Sequence, residues 1–148
     1  MLLKELTALR GVSGDEGEVR SLIVDQAAPW CDEIKVDNMG SVIAWKHSKT
    51  EGAPTVMIDA HMDEVGFLVQ YIRDDGMIRY LPVGGVDAAV CVSKRVRIGK
   101  NAVPGVIGCK AVHLQEAGER SQALKHSQLL IDIGAKDKKD ALTKVKVG

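Results

Sequence analysis

The chain has 148 residues, 45% of them hydrophobic and 27% charged, which is enough for one ordinary domain or two small ones with a packed core. Twenty Lys and Arg balance twenty Asp and Glu, so no overall charge draws the chain to nucleic acid or to an anionic membrane. Cys31, Cys91 and Cys109 are too far apart for a CxxC zinc site and read as reduced, buried thiols; with no signal-peptide pattern and no bilayer-length apolar run, a soluble cytoplasmic protein is expected.

In chain order, Leu2, Leu3, Leu6 and Leu9 recur at helical spacing over residues 2–10, and Gly11 suits the position after a helix end. Ser13 and Glu16 have the spacing of a capping box for a second helix, with Val19, Leu22, Ile23 and Ala27 as its apolar stripe and Pro29 as its stop. EIKVD (33–37) and SVIAW (41–45) read as strands joined by an NMG turn. TVMIDA (55–60) is a near-continuous apolar run of the kind that is buried on both faces of a sheet.

After Glu64 the texture changes. GFLVQYI and MIRYLPV alternate about an Asp75-Gly76 turn, and CVSKRVRIG, AVPGVIGCK and LLIDIGA continue as short strands. A helix is expected from Asp137 to Thr143, with VKVG as the start of a strand. The expected fold class is α/β: an incomplete helix-covered sheet in residues 1–64, then a small β-rich, barrel-like unit in residues 65–148.

The chemistry concentrates in HMDE (61–64). Ligands of sheet-based folds gather beyond the carboxyl ends of strands, where this motif lies. A neutral imidazole ligates zinc-type metals well when its other ring N–H goes to a carboxylate, and Asp63 is spaced to orient His61 in that way. Glu64 reads as an acid behind the ligands or facing substrate, and Asp59 as facing either the site or the adjacent loop. The plain structural alternative is a His61–Asp63 hydrogen bond that serves only the strand end. Neither HExxH nor HxE with PCxxC is present, and spacing alone leaves both readings open.

LLKELTALRGVSGDEGEVR, DNMGSVIAW, PTVMIDAHMDEVGFLVQYI, LPVGGVD, KNAVPGVIGCKAVHLQEAGER and LLIDIGAKDKKDA follow one another through nearly the whole chain. In these blocks, and above all in HMDEVGF together with GVIG and HLQ, the chain resembles the glutamyl and deblocking metallo-aminopeptidases. These are di-metal enzymes that assemble as tetrahedral dodecamers, and some were once labelled endoglucanases. The resemblance implies an α/β catalytic domain, begun by residues 1–64, interrupted by a β-rich dimerisation domain, residues 65–148. It implies that His61 is a metal ligand, that Asp63 orients it, and that two divalent metals, zinc or cobalt, serve the complete enzyme in removing N-terminal residues from peptides.

The family's bridging aspartate, general-base glutamate, further acidic ligand and last histidine have no matching motif here. The chain is therefore expected to be an N-terminal portion, inactive alone, with self-association through residues 65–148. The alternative is a non-catalytic oligomerisation or regulatory chain that pairs through the same β-rich part.

The other signals are weaker. His113 reads as a loop or interface histidine, and His47 and His126 as solvated. Ser93, Arg95 and Arg97 alternate with Val92, Val96 and Ile98, as the wet face of a half-buried strand would, and without interleaved aromatics no nucleic-acid partner is expected. LPVGGVD lacks a phosphate-loop ending and reads as a turn.

Overall fold

The computed structural model describes residues 1–116, 118 and 122–148; Ala117 and residues 119–121, in the AVHLQEAGER block, lie outside the described residues. The chain divides into two compact units, Met1–Glu64 and Val65–Gly148.

The first unit contains α1 (Leu2–Leu6), α2 (Gly17–Ala27), a 3-10 turn (Ala28–Trp30), and the antiparallel pair β1 (Glu33–Val36) and β2 (Val42–Trp45). The hairpin closes because Asp37 Oδ1 accepts from the backbone N–H of Met39 at 2.9 Å and of Ser41 at 2.8 Å, while Gly40 takes φ +89°. Arg20, on α2, donates through Nη1 to the Gly40 carbonyl at 3.1 Å, which ties helix to hairpin.

Three expectations change here. The first helix stops at Leu6, so Gly11 does not cap it. The second helix has Glu16 at its N-cap with no side-chain cap bond, because the Ser13 hydroxyl is engaged elsewhere. TVMIDA forms no strand, and Val56, Met57 and Ile58 are 78, 84 and 93% exposed. A doubly buried strand needs ladders on its edges and layers on its faces, and residues 55–60 pair with no described residue. Val19 is the one buried apolar side chain of residues 1–64.

The second unit is a five-stranded antiparallel sheet in the order β3-β4-β7-β6-β5. Its strands are β3 (Gly66–Ile72), β4 (Ile78–Val83), β5 (Arg95–Ile98), β6 (Val103–Gly108) and β7 (Leu130–Asp132). The β3–β4 hairpin turns at the expected place, with Gly76 at φ +84°. The alternation read in β5 holds, with Arg95 and Arg97 exposed and Ile98 buried. β3 and β5 are the outer strands of this sheet and are not paired with each other among the described residues.

Tertiary packing centres on β7. Ile131 pairs with Ile78 of β4 on one side and Ile107 of β6 on the other, and all three are 2% exposed or less. A Cβ on Gly105 would stand 2.7 Å from Ile131 Cγ2, so only glycine permits this approach. Tyr80, Leu129 and Cys91 belong to the same buried cluster, and burial pushes the Tyr80 hydroxyl up to about 12.

Helices flank these strands. α3 (Ala88–Cys91), unforeseen in the sequence, is capped by Asp87, whose carboxylate accepts from Ala89 N–H. α4 (Lys138–Lys144), close to the expected range, is capped by Asp137 and buries Ala141. VKVG is not a strand; Val145 packs into the cluster, and Gly148 N–H donates to Val69 O at 3.1 Å.

Truncating Ile131 to Ala is expected to lower unfolding free energy by about 2–5 kcal/mol, measured by urea denaturation followed by circular dichroism. Ala102 holds a left-handed φ of +49°, so Ala102→Gly is expected to stabilise the chain, by up to about 1 kcal/mol in the same assay.

Candidate metal centre

The HMDE motif folds against the loop that leads into α2. Gly11 makes the approach tight: a Cβ there would stand 2.7 Å from Val19 Cγ2 and 3.4 Å from the Met62 carbonyl. Glu64 N–H donates to Gly11 O at 2.6 Å, and Gly11 N–H donates to Glu64 Oε1 at 3.4 Å, giving a parallel bridge between Val12 and Glu64. Glu64 thus holds two chain segments together, where the sequence reading had placed it near metal or substrate.

This bridge sets Ser13 beside Asp63. Ser13 Oγ donates to Asp63 Oδ2 at 2.5 Å, while Asp63 Oδ1 and the Asp63 carbonyl each lie 3.0 Å from His61 Nδ1. Both oxygens are acceptors, so Nδ1 carries the proton and Nε2 the free lone pair. The His61 side chain is 85% exposed, which leaves Nε2 open to an incoming group. The Ser13 hydrogen bond, followed by that of His61, holds the Asp63 carboxyl below the usual carboxylate range. Ser13 escaped the sequence reading because nothing local in GVSGDE announces a partner fifty positions away.

A groove of about 720 Å³ opens in this unit, with β2 along one wall and residues 55–63 along the other; His61, Asp63, Asp59 and Glu16 all line it. Asp59 therefore shares the groove with the motif. A zinc-type site takes about three protein ligands, and no group of three His, Cys, Asp or Glu suited to a metal occurs among the described residues. His61 offers one donor atom, and Asp63 is committed to Ser13 and His61. The described residues do not make up a metal site by themselves.

The remaining histidines and cysteines lie elsewhere. His113 and His47 are exposed. His126, expected to be solvated, is half-buried: Nε2–H donates to Val86 O at 2.8 Å, Nδ1 accepts from Tyr80 OH at 3.2 Å, and Tyr80 stands edge-on to the ring. Packing between β4 and the turn before β7 explains this, and local polarity in the sequence concealed it. Of the cysteines, Cys91 alone is buried, with burial and then Asp87 pushing its thiol up, whereas Cys109 is exposed and Cys31 half-buried.

The profile of the family described as M42 glutamyl aminopeptidase matches residues 40–148, and one described as AMPT matches residues 1–22. The chain belongs to the M42 family. A relative from Acetivibrio thermocellus described as an aminopeptidase is 43% identical over 147 residues, covering 99% of this chain and 42% of the relative. Lysyl aminopeptidase of Pyrococcus furiosus is 36% identical over 144 residues, covering 95% and 41%.

Among solved structures, a TET aminopeptidase from the archaeon Thaumarchaeota archaeon SCGC AB-539-E09 superposes with a TM-score of 0.89 at 35% identity, covering 99% of this chain and 42% of that one. A Pyrococcus horikoshii TET peptidase, described as assembling into a tetrahedron or a large octahedral shell, is 32% identical with a TM-score of 0.82, covering 98% and 43%. The chain thus spans about two fifths of the length of these relatives.

Removing the Ser13 hydroxyl (Ser13→Ala) is expected to raise the Asp63 carboxyl toward its ordinary value of about 3.9, followed by carbon NMR titration of that carboxyl. Because the folded value is depressed, the array's contribution to stability is present above the unfolded value and is lost as pH falls through the folded one. In the variant that loss therefore begins at higher pH. An unchanged titration would mean that Ser13 does not hold the carboxylate.

Proposed function

We propose that this chain is the His61-bearing share of a metal-dependent aminopeptidase that removes N-terminal residues from peptides, and that it is inactive alone. The observation that carries this reading is the Ser13–Asp63–His61 array. It fixes the imidazole with Nδ1–H inward and Nε2 exposed in a groove, which is the preparation a metal-ligating histidine needs.

In this reading residues 1–64 begin the catalytic domain and residues 65–148 form the dimerisation domain. His61 is a ligand to one of two divalent metals in the complete enzyme, zinc or cobalt, since imidazole and carboxylate donors accept either. Asp63 keeps the imidazole in the tautomer that presents Nε2, and Ser13 keeps Asp63 charged and aimed. The general base is not among the residues assigned here.

A second reading, self-association without catalysis, has its own support. Leu68 and Leu81 face each other across β3 and β4, are each 45% exposed, and lie near Tyr71, 47% exposed. Clustered apolar side chains on a sheet suit an interface between copies.

After loading with zinc or cobalt and desalting, the chain is expected to hold well under one metal per chain by elemental analysis and to release no product from aminoacyl p-nitroanilides. Reconstitution with the missing share of an M42 relative should bring both metal and activity, and His61→Ala should remove them. Two metals on the isolated chain would overturn the reading that its site is incomplete. For self-association, Leu68→Asp is expected to shift sedimentation toward monomer, and an unchanged oligomer would exclude this face.

A further inference from the structure

Two segments meet at the HMDE motif, and the register between them decides what His61 presents. The loop of residues 10–15 is tied to α2 and to itself by the Arg10–Glu18 ion pair, by Gly14 N–H donating to Glu16 Oε1 at 2.5 Å, and by Asp15 N–H donating to Val12 O at 2.7 Å. None of these bonds reaches residues 61–64. Among the described hydrogen bonds, the loop meets the motif at two places, Gly11 with Glu64 and Ser13 with Asp63.

The first place sets the second. Val12 lies opposite Glu64 in the parallel bridge, with Ser13 one residue after it on one segment and Asp63 one residue before it on the other. A slip of one residue carries an extended segment about 3.3 Å along, more than the 2.5 Å that separates the Ser13 hydroxyl from Asp63 Oδ2. The bond therefore needs the register that Gly11 and Glu64 hold. Gly11 fits there because it has no side chain, since a Cβ would stand 2.7 Å from a methyl carbon of the buried Val19.

We propose that Gly11 and Glu64 are positioning residues for His61, acting through Ser13 and Asp63 to keep the ring proton on Nδ1 and Nε2 open. This step rests on the reading of His61 as the group that the complete aminopeptidase uses. Glu64 supplies both halves of the clamp: its backbone N–H donates to Gly11 O at 2.6 Å, and its Oε1 accepts from Gly11 N–H at 3.4 Å. Among the described residues no hydrogen bond joins Gly11 or Glu64 to His61, so their influence runs through the serine and the aspartate. The Glu64 side chain serves here as an acceptor oxygen, and its charge is not required.

The test is the tautomer of His61 in the 148-residue chain, without metal or substrate. It is read by nitrogen NMR of the two ring nitrogens well above the ordinary histidine value of about 6.5, where the ring is neutral. The unaltered chain should carry the proton on Nδ1. Ser13→Ala and Gly11→Ala should each raise the ratio of the Nε2–H to the Nδ1–H form about fivefold, the equivalent of one net hydrogen bond. Glu64→Ala keeps the backbone half of the clamp and should raise the ratio about twofold. Glu64→Gln keeps an oxygen for Gly11 N–H and should restore the original ratio. Circular dichroism should match the unaltered chain throughout, and if Gly11→Ala loses its fold the two Glu64 variants decide.

A ring proton on Nε2 in the unaltered chain would overturn the proposal. So would an unchanged ratio in Glu64→Ala, which would make Glu64 a brace alone, or a Glu64→Gln as disturbed as Glu64→Ala, which would make its charge the operative feature. Failure of the aminopeptidase reading shows elsewhere, as a reconstituted enzyme whose rate ignores His61→Ala, and the tautomer ratios would stand unaffected.

Discussion

Three residues of β7 join two separate hairpins into one sheet. Ile131 sits between Ile78 and Ile107, and through it β3–β4 and β5–β6 share both a ladder and a core. A hairpin by itself is marginal in water, and two hairpins become stable when a strand between them satisfies both inner edges and buries one face. Gly105 matters for the same reason, because its missing side chain lets Ile131 and the Asp132 carbonyl come close. The second unit owes its continuous core to this central strand.

The first unit shows the opposite case. Its β1–β2 hairpin and α2 are joined by Arg20, and its one buried apolar side chain is Val19. What organises residues 11–15 and 61–64 is polar: the Gly11–Glu64 exchange of hydrogen bonds and the Ser13–Asp63–His61 chain. Local geometry of the motif is therefore set without a surrounding core. The array holds His61 at Nδ1 and leaves Nε2 open, and a single imidazole does not make a metal site.

Much of the fold was legible because it rests on short-range signals. The Asp75-Gly76 turn, the alternation in RVRI and the helix that follows Asp137 are each decided within a few residues, and each lies close to where the pattern put it. The misreadings share one cause. TVMIDA has the composition of a buried strand, but burial is conferred by partners, and none of the described residues supplies them. Ser13 matched a local capping pattern, and a carboxylate fifty residues away drew its hydroxyl elsewhere. Polar neighbours made His126 look solvated, while Tyr80 and the Val86 carbonyl enclose it.

By itself the sequence determined the HMDE motif, the family to which its motifs point, and the hairpin turns that punctuate the strands, since these depend on residue type and on separations of a few positions. Tertiary structure alone decided which carboxylate oxygen meets Nδ1, that a serine completes the array, that Glu64 braces the chain, and that an apolar run stays uncovered. Those outcomes depend on which distant backbone segments approach each other, and hydrogen bonding and burial act on that proximity, which spacing along one chain does not encode.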